Sequence, residues 1–203
     1  SSFVSLMILA ALHFKNAGQK PSLSQTFARQ PLTYIMSGLI NPVLYYIILF
    51  AAYDRLPAQI AQPINYTWAI VLTLLSAPIL KQRITIGDGL GLVFCYLGVV
   101  ILVTRFDFSS ISSFDLKGVI LAVVSTIFWA CYWLLNAKTN AEPLTSVFLS
   151  FLCATPWLVG LAIWSWPSFH FSTTNLLASV YIGLFEMSLA FVFWLKALNY
   201  ATS

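Results

Sequence analysis

Long apolar runs alternate with short polar segments along the whole chain. Six runs are close to the roughly 20 residues that an α-helix needs to cross a bilayer; they cover residues 33–53, 58–79, 86–104, 118–138, 144–166 and 175–198. A seventh run, 1–14, would rise only about 21 Å at 1.5 Å per residue, and we expect it to be the end of a longer helix. The pattern predicts an all-α membrane protein with seven transmembrane helices.

The composition agrees with a chain that is solvated by lipid. Of the 203 residues, 60% are hydrophobic and 8% are charged, whereas about a quarter of the residues of a soluble domain are charged. The formal net charge of +4 is spread over short loops and forms no basic cluster. The lipid bilayer is therefore the predicted partner, and no nucleic-acid partner is predicted.

Lysine and arginine are unequally divided between the two sides of the predicted spans. With the run 1–14 counted as the first span, six of these residues follow the first, third or fifth span: Lys15, Lys20, Arg29, Lys81, Arg83 and Lys138. Three follow the second or fourth span: Arg55, Arg105 and Lys117. Cytoplasmic loops carry the excess of these residues. We therefore predict a multi-pass protein of the cell (inner) membrane with the loop 15–30 in the cytoplasm.

The sequence resembles itself weakly at an offset of 145 residues. The stretch "GLINPVLYYIILFAAYDRLPA" begins at Gly38, and "GLFEMSLAFVFWLKALNYATS" begins at Gly183, so that Asn41 aligns with Glu186. The second copy begins five spans after the first copy. Because each span reverses the direction of the chain, an odd number of spans places the second copy upside down in the membrane. Inverted-topology repeats are typical of secondary transporters.

The offset of 145 residues and the step of five spans predict how the repeats are organised. Residues 1–104 would form a first repeat that lacks its first helix, and residues 118–203 would form a second repeat that lacks its last two helices. The seven predicted helices would then be part of a ten-helix transporter with five helices per repeat.

Three residues interrupt the apolar run 58–79. Pro63 removes a backbone donor and is expected to open the helix locally, next to Asn65 and Tyr66. Polar groups at this depth are tolerated where they line a water-filled cavity, so we expect this stretch to form a wall of a substrate cavity. The alternative is that Asn65 only links neighbouring helices by a hydrogen bond.

Glu186 is the acidic residue nearest the middle of a predicted span. An ionisable group at that depth is costly and by default functional, so Glu186 is a candidate for binding a proton or a substrate ammonium. The alternative is a protonated carboxyl group bonded to Asn41 or Ser188. We expect Asn41, Asn65, Tyr66, Trp129 and Glu186 to line one central cavity.

Trp129, Tyr132 and Trp133 lie at the centre of the span 118–138, away from the interfaces where aromatic belts form. Residues three and four apart share a helix face. These rings are either core packing or the lining of a site for a planar substrate.

No residue pattern indicates catalysis. Gly87 and Gly91 have the spacing of a helix-packing surface, and Asp88 between them favours the start of a helix without the second aspartate that an intramembrane protease needs. His13 and His170 do not form a zinc pattern. We predict no catalytic residue, no metal and no cofactor.

Two stretches, together with the predicted arrangement of helices, resemble a known family. "LPAQIAQPINYTWAIVLTLLSAPILKQRITIGDGLGLVFCYLGVVIL" and "GVILAVVSTIFWACYWLLNAK", with the five-plus-five arrangement, are similar to the EamA branch of the drug/metabolite transporter superfamily. The segment Asn65-Tyr66-x-Trp68 is similar to a segment of bacterial amino-acid exporters. The resemblance implies a site for a small-molecule substrate formed by Asn65, Tyr66 and Trp68 together with the polar and aromatic residues above.

The function predicted from these features is export of small organic metabolites, amino acids and aromatic ones among them, by alternating access around a midplane cavity. The alternatives are an exporter of drugs, nucleobases or other metabolites, a membrane enzyme, and a non-transporting scaffold. An enzyme would need convergent titratable groups, and a scaffold would need neither a midplane Glu186 nor a proline in a span. A second copy of the chain, as a homodimer, is a further candidate partner.

Overall fold

The computed structural model describes residues 1–15, 22–81, 83–107, 114–139, 141–165, 172–191 and 193–194, of which the side chains of 14 and 15 are not described. The chain is an all-α membrane protein. Its helices are α1 (Ser2–Lys15), α2 (Leu23–Arg29), α3 (Pro31–Gly38), α4 (Tyr45–Tyr53), α5 (Ala58–Tyr66), α6 (Trp68–Leu80), α7 (Ile86–Thr104), α8 (Leu116–Ala137), α9 (Pro143–Ser165) and α10 (Thr173–Tyr181), with a kinked segment at Leu39–Leu44 and a π-helical segment at Ile182–Leu189.

Five helices of the described chain are long and apolar enough to cross a membrane. They are Pro31–Tyr53, Ala58–Leu80, Ile86–Thr104, Leu116–Ala137 and Pro143–Ser165. Their bounds agree within two residues with five of the predicted spans, because apolar runs of this length have no other stable solution in lipid.

The predicted count of seven spans is not confirmed. The run 1–14 forms α1, which is too short to count as a span, as predicted from its length. The run 175–198 forms α10 and the segment Ile182–Leu189, while residues 192 and 195–198 lie outside the described residues. The predicted loop 15–30 also contains the short helix α2.

The helix Pro31–Tyr53 is interrupted at Asn41. The Asn41 backbone is extended, with φ −139° and ψ 121°, and Pro42 follows it. A proline ring clashes with a helical conformation of the preceding residue and supplies no N–H donor. The sequence Asn-Pro therefore separates α3 from α4 inside a predicted span.

The described chain forms two compact units. One consists of Ser1–Val43 with Thr139–Ser203, and the other of Leu44–Lys138. In the first unit, α3 packs on α9, and α1 packs on both α9 and the segment Ile182–Leu189. In the second unit, α8 packs on α4, α5 and α6, while α7 packs on α5.

Close backbone contacts in the first unit occur at glycines. A Cβ atom on Gly38 would overlap the Ser150 carbonyl oxygen and would lie 2.9 Å from the Ala154 nitrogen. A Cβ atom on Gly183 would lie 2.8 Å from the Val4 Cβ atom. Small residues allow helix backbones to approach closely, which gives the packing contacts that hold membrane helices together.

The turn between α4 and α5 is fastened to the start of α8 in the second unit. Gly118 lies against this turn, since a Cβ atom there would be 2.7 Å from the Leu56 Cγ atom. The Arg55 guanidinium donates to Asp115 Oδ2 at 3.0 Å, and the Lys117 backbone N–H donates to Asp115 Oδ1 at 2.9 Å. Both hydrogen bonds lower the pKa of the Asp115 carboxyl group below its usual value, and the bond from the Arg55 guanidinium has the larger effect.

The lowered pKa of Asp115 predicts a pH-dependent contribution to stability. A carboxylate whose pKa is lowered by folding stabilises the fold above its ordinary pKa, about 3.9, and loses this effect as the pH falls through the lowered value. We expect Asp115→Asn to lower the unfolding temperature in detergent slightly at pH 7, and less in high salt because both side chains are partly exposed. The difference from the unsubstituted protein should begin to decrease near pH 3.9 and should disappear below the lowered pKa of Asp115.

The control for this prediction is Asp54→Asn, which removes an equal charge beside Arg55 without removing the Arg55–Asp115 hydrogen bond. If both variants have the same pH profile, the effect arises from net charge and not from the Arg55–Asp115 pair.

Candidate functional site

A buried amide links three helices of the second unit. Asn65 lies at the end of α5 and is 4% exposed. Its Oδ1 accepts a hydrogen bond from the Tyr45 hydroxyl of α4 at 3.1 Å, and its Nδ2 donates to Ser125 Oγ of α8 at 2.8 Å. Ser125 donates in turn to the Ala122 carbonyl oxygen at 2.6 Å. We call Tyr45, Asn65 and Ser125 the amide network.

An aromatic cluster adjoins the amide network; we define it as Tyr45, Trp68, Trp129, Tyr132 and Trp133. The Trp129 ring centroid is 4.5 Å from that of Tyr45, 6.1 Å from that of Trp68 and 6.3 Å from those of Tyr132 and Trp133. These separations and the tilted or edge-on ring planes suit aromatic pairs. Trp129 is therefore the centre of the cluster.

Helical spacing on α8 explains why the network and the cluster meet. Ser125, Trp129 and Trp133 are four residues apart, and Tyr132 is three residues after Trp129, so all four lie on one face of the helix. This face is turned toward α4, α5 and α6, which pack on α8. Tyr45 takes part in both groups, with its hydroxyl on Asn65 and its ring on Trp129.

Tyr66 and Asn65 are neighbours in sequence but have different environments. Tyr66 is 63% exposed, whereas Asn65 is buried. The described helix continues through Pro63 and is interrupted four residues later at Thr67, where tighter i→i+3 hydrogen bonds form and the Thr67 hydroxyl donates to the Ile64 carbonyl oxygen at 2.7 Å. The predicted helix opening therefore lies at Thr67 and not at Pro63, because a proline inside a helix can be tolerated when neighbouring groups restore the hydrogen bonds.

Asn41 and Glu186 belong to the first unit. Asn41 is 1% exposed, and neither atom of its side-chain amide has a hydrogen-bond partner among the described residues. Glu186 is exposed and lies in the π-helical segment Ile182–Leu189. The structure thus brings Asn65, Trp68, Trp129, Tyr132 and Trp133 together within one unit, whereas the participation of Asn41, Tyr66 and Glu186 in the same cavity stays a prediction.

The predicted packing surface of Gly87 and Gly91 has no partner in the described part of the chain. A Cβ atom on Gly91 would meet no atom within 4 Å, and one on Gly87 would meet only Thr85 Oγ1 at 3.6 Å. Asp88 has a local role, since its Oδ2 accepts from the Thr85 backbone N–H at 2.8 Å while Thr85 Oγ1 accepts from the Asp88 N–H. This capping box starts α7 and accounts for the aspartate in the Gly-Asp-Gly sequence.

An apolar groove of about 280 Å³ lies elsewhere in the second unit. It is lined by residues of α5, α7, α8 and their connections: Ile64, Thr67, Tyr96, Val99, Val100, Val103, Thr104, Phe114, Leu116, Val119 and Val123. The hydroxyl groups of Thr67 and Thr104 donate to carbonyl oxygens of their own helices. The groove does not include the amide network, and it offers few hydrogen bonds to a polar substrate.

Two residues of the site were not predicted from the sequence. Tyr45 could have been noticed as a hydroxyl-bearing ring near the centre of the span 33–53. Ser125 precedes Trp129 by one helical turn, which placed it on the aromatic face of α8. Neither signal identifies Asn65 as the partner, because the contacts of Tyr45 and Ser125 with Asn65 join residues 20 and 60 apart in the chain.

The comparisons with known proteins give one match. Neither the curated proteins nor the solved structures yield a match to the chain. The model of the EamA-like transporter family matches residues 1–104 and 116–203, which is nearly the whole chain. The resemblance to the EamA branch is confirmed, and the chain belongs to the EamA-like transporter family, whose members are membrane transporters of the drug/metabolite superfamily.

Proposed function

We propose that this transporter exports small zwitterionic metabolites, amino acids with aromatic side chains among them, by alternating access around a midplane cavity. The observation that carries the proposal is the aromatic cluster around Trp129, with the amide network directly beside it. Small-molecule sites combine apolar and aromatic walls with a few polar groups that fix orientation. The cluster and the network supply both within one unit.

The chemistry of these groups suits an amino acid. Indole and phenol faces attract both planar side chains and an ammonium group. The exposed carboxylate of Glu186 offers a charge for the ammonium, and the buried amide of Asn41 offers hydrogen bonds to a ligand. An exporter must also release its cargo, so weak anchoring of the substrate carboxylate is compatible with the proposal.

The same proposal includes an inverted repeat of five plus five helices, with repeats at 1–104 and 118–203. Several features of the first unit support the offset of 145 residues. Gly38 and Gly183 are both closely packed against helices, and the kinked segment Leu39–Leu44 overlaps the π-helical segment Ile182–Leu189 when shifted by 145. Asn41 and Glu186 then occupy equivalent positions in the two segments.

We further propose that the protein lies in the cell (inner) membrane with the loop 15–30 in the cytoplasm. The lysine and arginine excess in that set of loops supports this orientation. The small-molecule substrate and the bilayer are the proposed partners, with a homodimer as the proposed assembly.

The proposal is tested by efflux of phenylalanine and tryptophan from cells that overproduce them. We expect Trp129→Leu to reduce efflux about two- to tenfold, because a stacked aromatic contact contributes about 0.5–1.5 kcal/mol beyond its buried area and 1.4 kcal/mol corresponds to a factor of ten. Glu186→Gln and Tyr66→Phe should also reduce efflux.

Trp164→Leu is the matched control for Trp129→Leu. Trp164 is 83% exposed, so the same change there removes a tryptophan outside the cluster and should leave efflux unchanged. Expression of each variant in the membrane is measured in parallel. If efflux and tolerance to toxic amino-acid analogues are unchanged in all the site variants, amino acids are not the substrates, and the drug or nucleobase branch of the superfamily becomes the better assignment.

A further inference from the structure

A buried histidine lies near the end of α1 in the first unit, and it is not part of the amide network, whose residues belong to the second unit. His13 is 4% exposed, and its ring stacks on Phe148 of α9 with centroids 5.6 Å apart and planes 12° from parallel. Histidine is the side chain whose ordinary titration, near pH 6.5, falls within the physiological range. A buried imidazole at a helix contact is therefore a candidate site for a proton.

A hydrogen-bond chain fixes the protonation pattern of this imidazole. The Thr145 hydroxyl donates to Glu142 Oε2 at 2.9 Å, and Thr145 Oγ1 lies 3.2 Å from His13 Nδ1. A hydroxyl group has one hydrogen, so while it donates to Glu142 its oxygen accepts from the Nδ1–H of His13. The neutral ring then carries its hydrogen on Nδ1, and a second proton is taken up by Nε2.

The charged groups on the packed elements favour proton uptake at this place. α1 packs on α9 and on Ile182–Leu189. At the start of α9, the Glu142 carboxylate is joined to the ring through one hydroxyl group. On the other segment, Glu186 is exposed and directly precedes Met187, whose carbonyl oxygen accepts a hydrogen bond from Ser5. Ser5 lies on α1 eight residues before His13. Lys15 is the charged residue on α1 itself, and its side chain lies outside the described residues.

We propose that His13, Thr145 and Glu142 form a proton-binding site between α1 and α9. The imidazolium would donate from Nδ1 through Thr145 to the Glu142 carboxylate, which supplies the balancing charge. The site uses none of the residues of the amide network or the aromatic cluster. The proposal goes beyond the proposed transport function and does not depend on which substrate is carried.

The same contacts have a simpler interpretation in which no proton is exchanged. The Glu142 carbonyl oxygen accepts from the Ser146 N–H at 3.0 Å, so Glu142 caps α9, and a carboxylate is favourable at a helix N-terminus. Under that interpretation His13 is a neutral packing residue at every pH between 5 and 8. The two interpretations differ in whether the ring titrates and in whether its titration depends on Glu142.

The test is nitrogen NMR of the full chain labelled with ¹⁵N-histidine in a detergent or nanodisc. The chain has two histidines, so His170→Gln leaves one imidazole signal, that of His13. We expect the Nδ1–H tautomer at pH 8 and conversion to the imidazolium as the pH falls to 5. Adding Glu142→Gln should lower the midpoint by about half a pH unit or more, since it removes the balancing charge. Thr145→Val should change the tautomer at pH 8.

Thr155→Val is the matched control, because the Thr155 hydroxyl lies on the same helix and donates to the Phe151 carbonyl oxygen at 3.0 Å. It should leave both the tautomer and the midpoint of His13 unchanged. The proposal is overturned if the ring keeps one protonation state from pH 5 to 8. It is also overturned if Glu142→Gln and Thr145→Val have no effect, or if Thr155→Val has the same effect as Thr145→Val.

Discussion

Gly38→Ala is expected to destabilise the protein by about 1–3 kcal/mol, the cost typical of overpacking in a well-packed interior. The added Cβ atom would overlap the Ser150 carbonyl oxygen and lie 2.9 Å from the Ala154 nitrogen. Both are backbone atoms of α9, so no side chain can rotate away, and α3 and α9 must separate. The measurement is the unfolding temperature in detergent. It is followed as the temperature at which heated samples lose the peak of monodisperse protein in size-exclusion chromatography.

Gly91→Ala is the matched control for this prediction. A Cβ atom on Gly91 would meet no described atom within 4 Å, and alanine is favoured over glycine in a helix by about 1 kcal/mol. This variant should be as stable as the unsubstituted protein or more stable. If Gly38→Ala is also neutral, the close approach of α3 to α9 does not exist in the membrane protein.

The contrast between these two glycines shows where sequence analysis reached its limit. Gly87-x-x-x-Gly91 has the recognisable spacing of a packing surface, yet no described helix lies against it. The contact that does form joins a single glycine, Gly38, to the small residues of α9 at Ser150 and Ala154. The spacing of four between Ser150 and Ala154 was present in the sequence, but a one-helix pattern does not specify which helix will fill the groove.

The helix interruptions show the same division between local and distant causes. The bounds of five spans could be predicted because hydropathy along one segment determines whether it crosses a bilayer. Proline positions alone did not identify the interruptions, since α5 and α9 continue through Pro63 and Pro156, whereas the chain leaves the helix before Pro42. Whether a proline ends a helix depends on which neighbours replace the lost hydrogen bond, and those neighbours are remote in sequence.

The part of the candidate site that lies on one helix could be predicted from the sequence, whereas its contacts between helices could not. Trp129, Tyr132 and Trp133 share one face of α8 by helical spacing, so their proximity follows from the sequence. Asn65 was predicted either to line a cavity or to link helices, and the structure shows it bonded to α4 and α8 through Tyr45 and Ser125. Tyr45 connects this helix-linking network to the aromatic cluster, since its hydroxyl contacts Asn65 and its ring contacts Trp129.

Asn65→Leu is expected to lower both the stability of the protein and its efflux activity. Hydrogen bonds between membrane helices contribute about 0.6 kcal/mol on average and up to about 1.7 kcal/mol. The substitution removes two such bonds, so we expect a loss of about 1–3 kcal/mol in the free energy of unfolding. It also removes the amide that bonds the Tyr45 hydroxyl while the Tyr45 ring contacts Trp129, so efflux per folded molecule should fall about two- to tenfold, the range expected for the loss of one aromatic contact.

Ser125→Ala separates the two roles of Asn65. It removes the acceptor of the Asn65 Nδ2 hydrogen bond but retains the Asn65–Tyr45 bond at 3.1 Å and the aromatic cluster. We therefore expect Ser125→Ala to lower the unfolding temperature while efflux per folded molecule is retained. In a double-mutant cycle with Asn65→Leu, the stability effects should be less than additive, because both changes break the same bond. Normal efflux in Asn65→Leu, together with the stability loss, would mean that Asn65 only links the helices, and the substrate site would then have to be assigned without it.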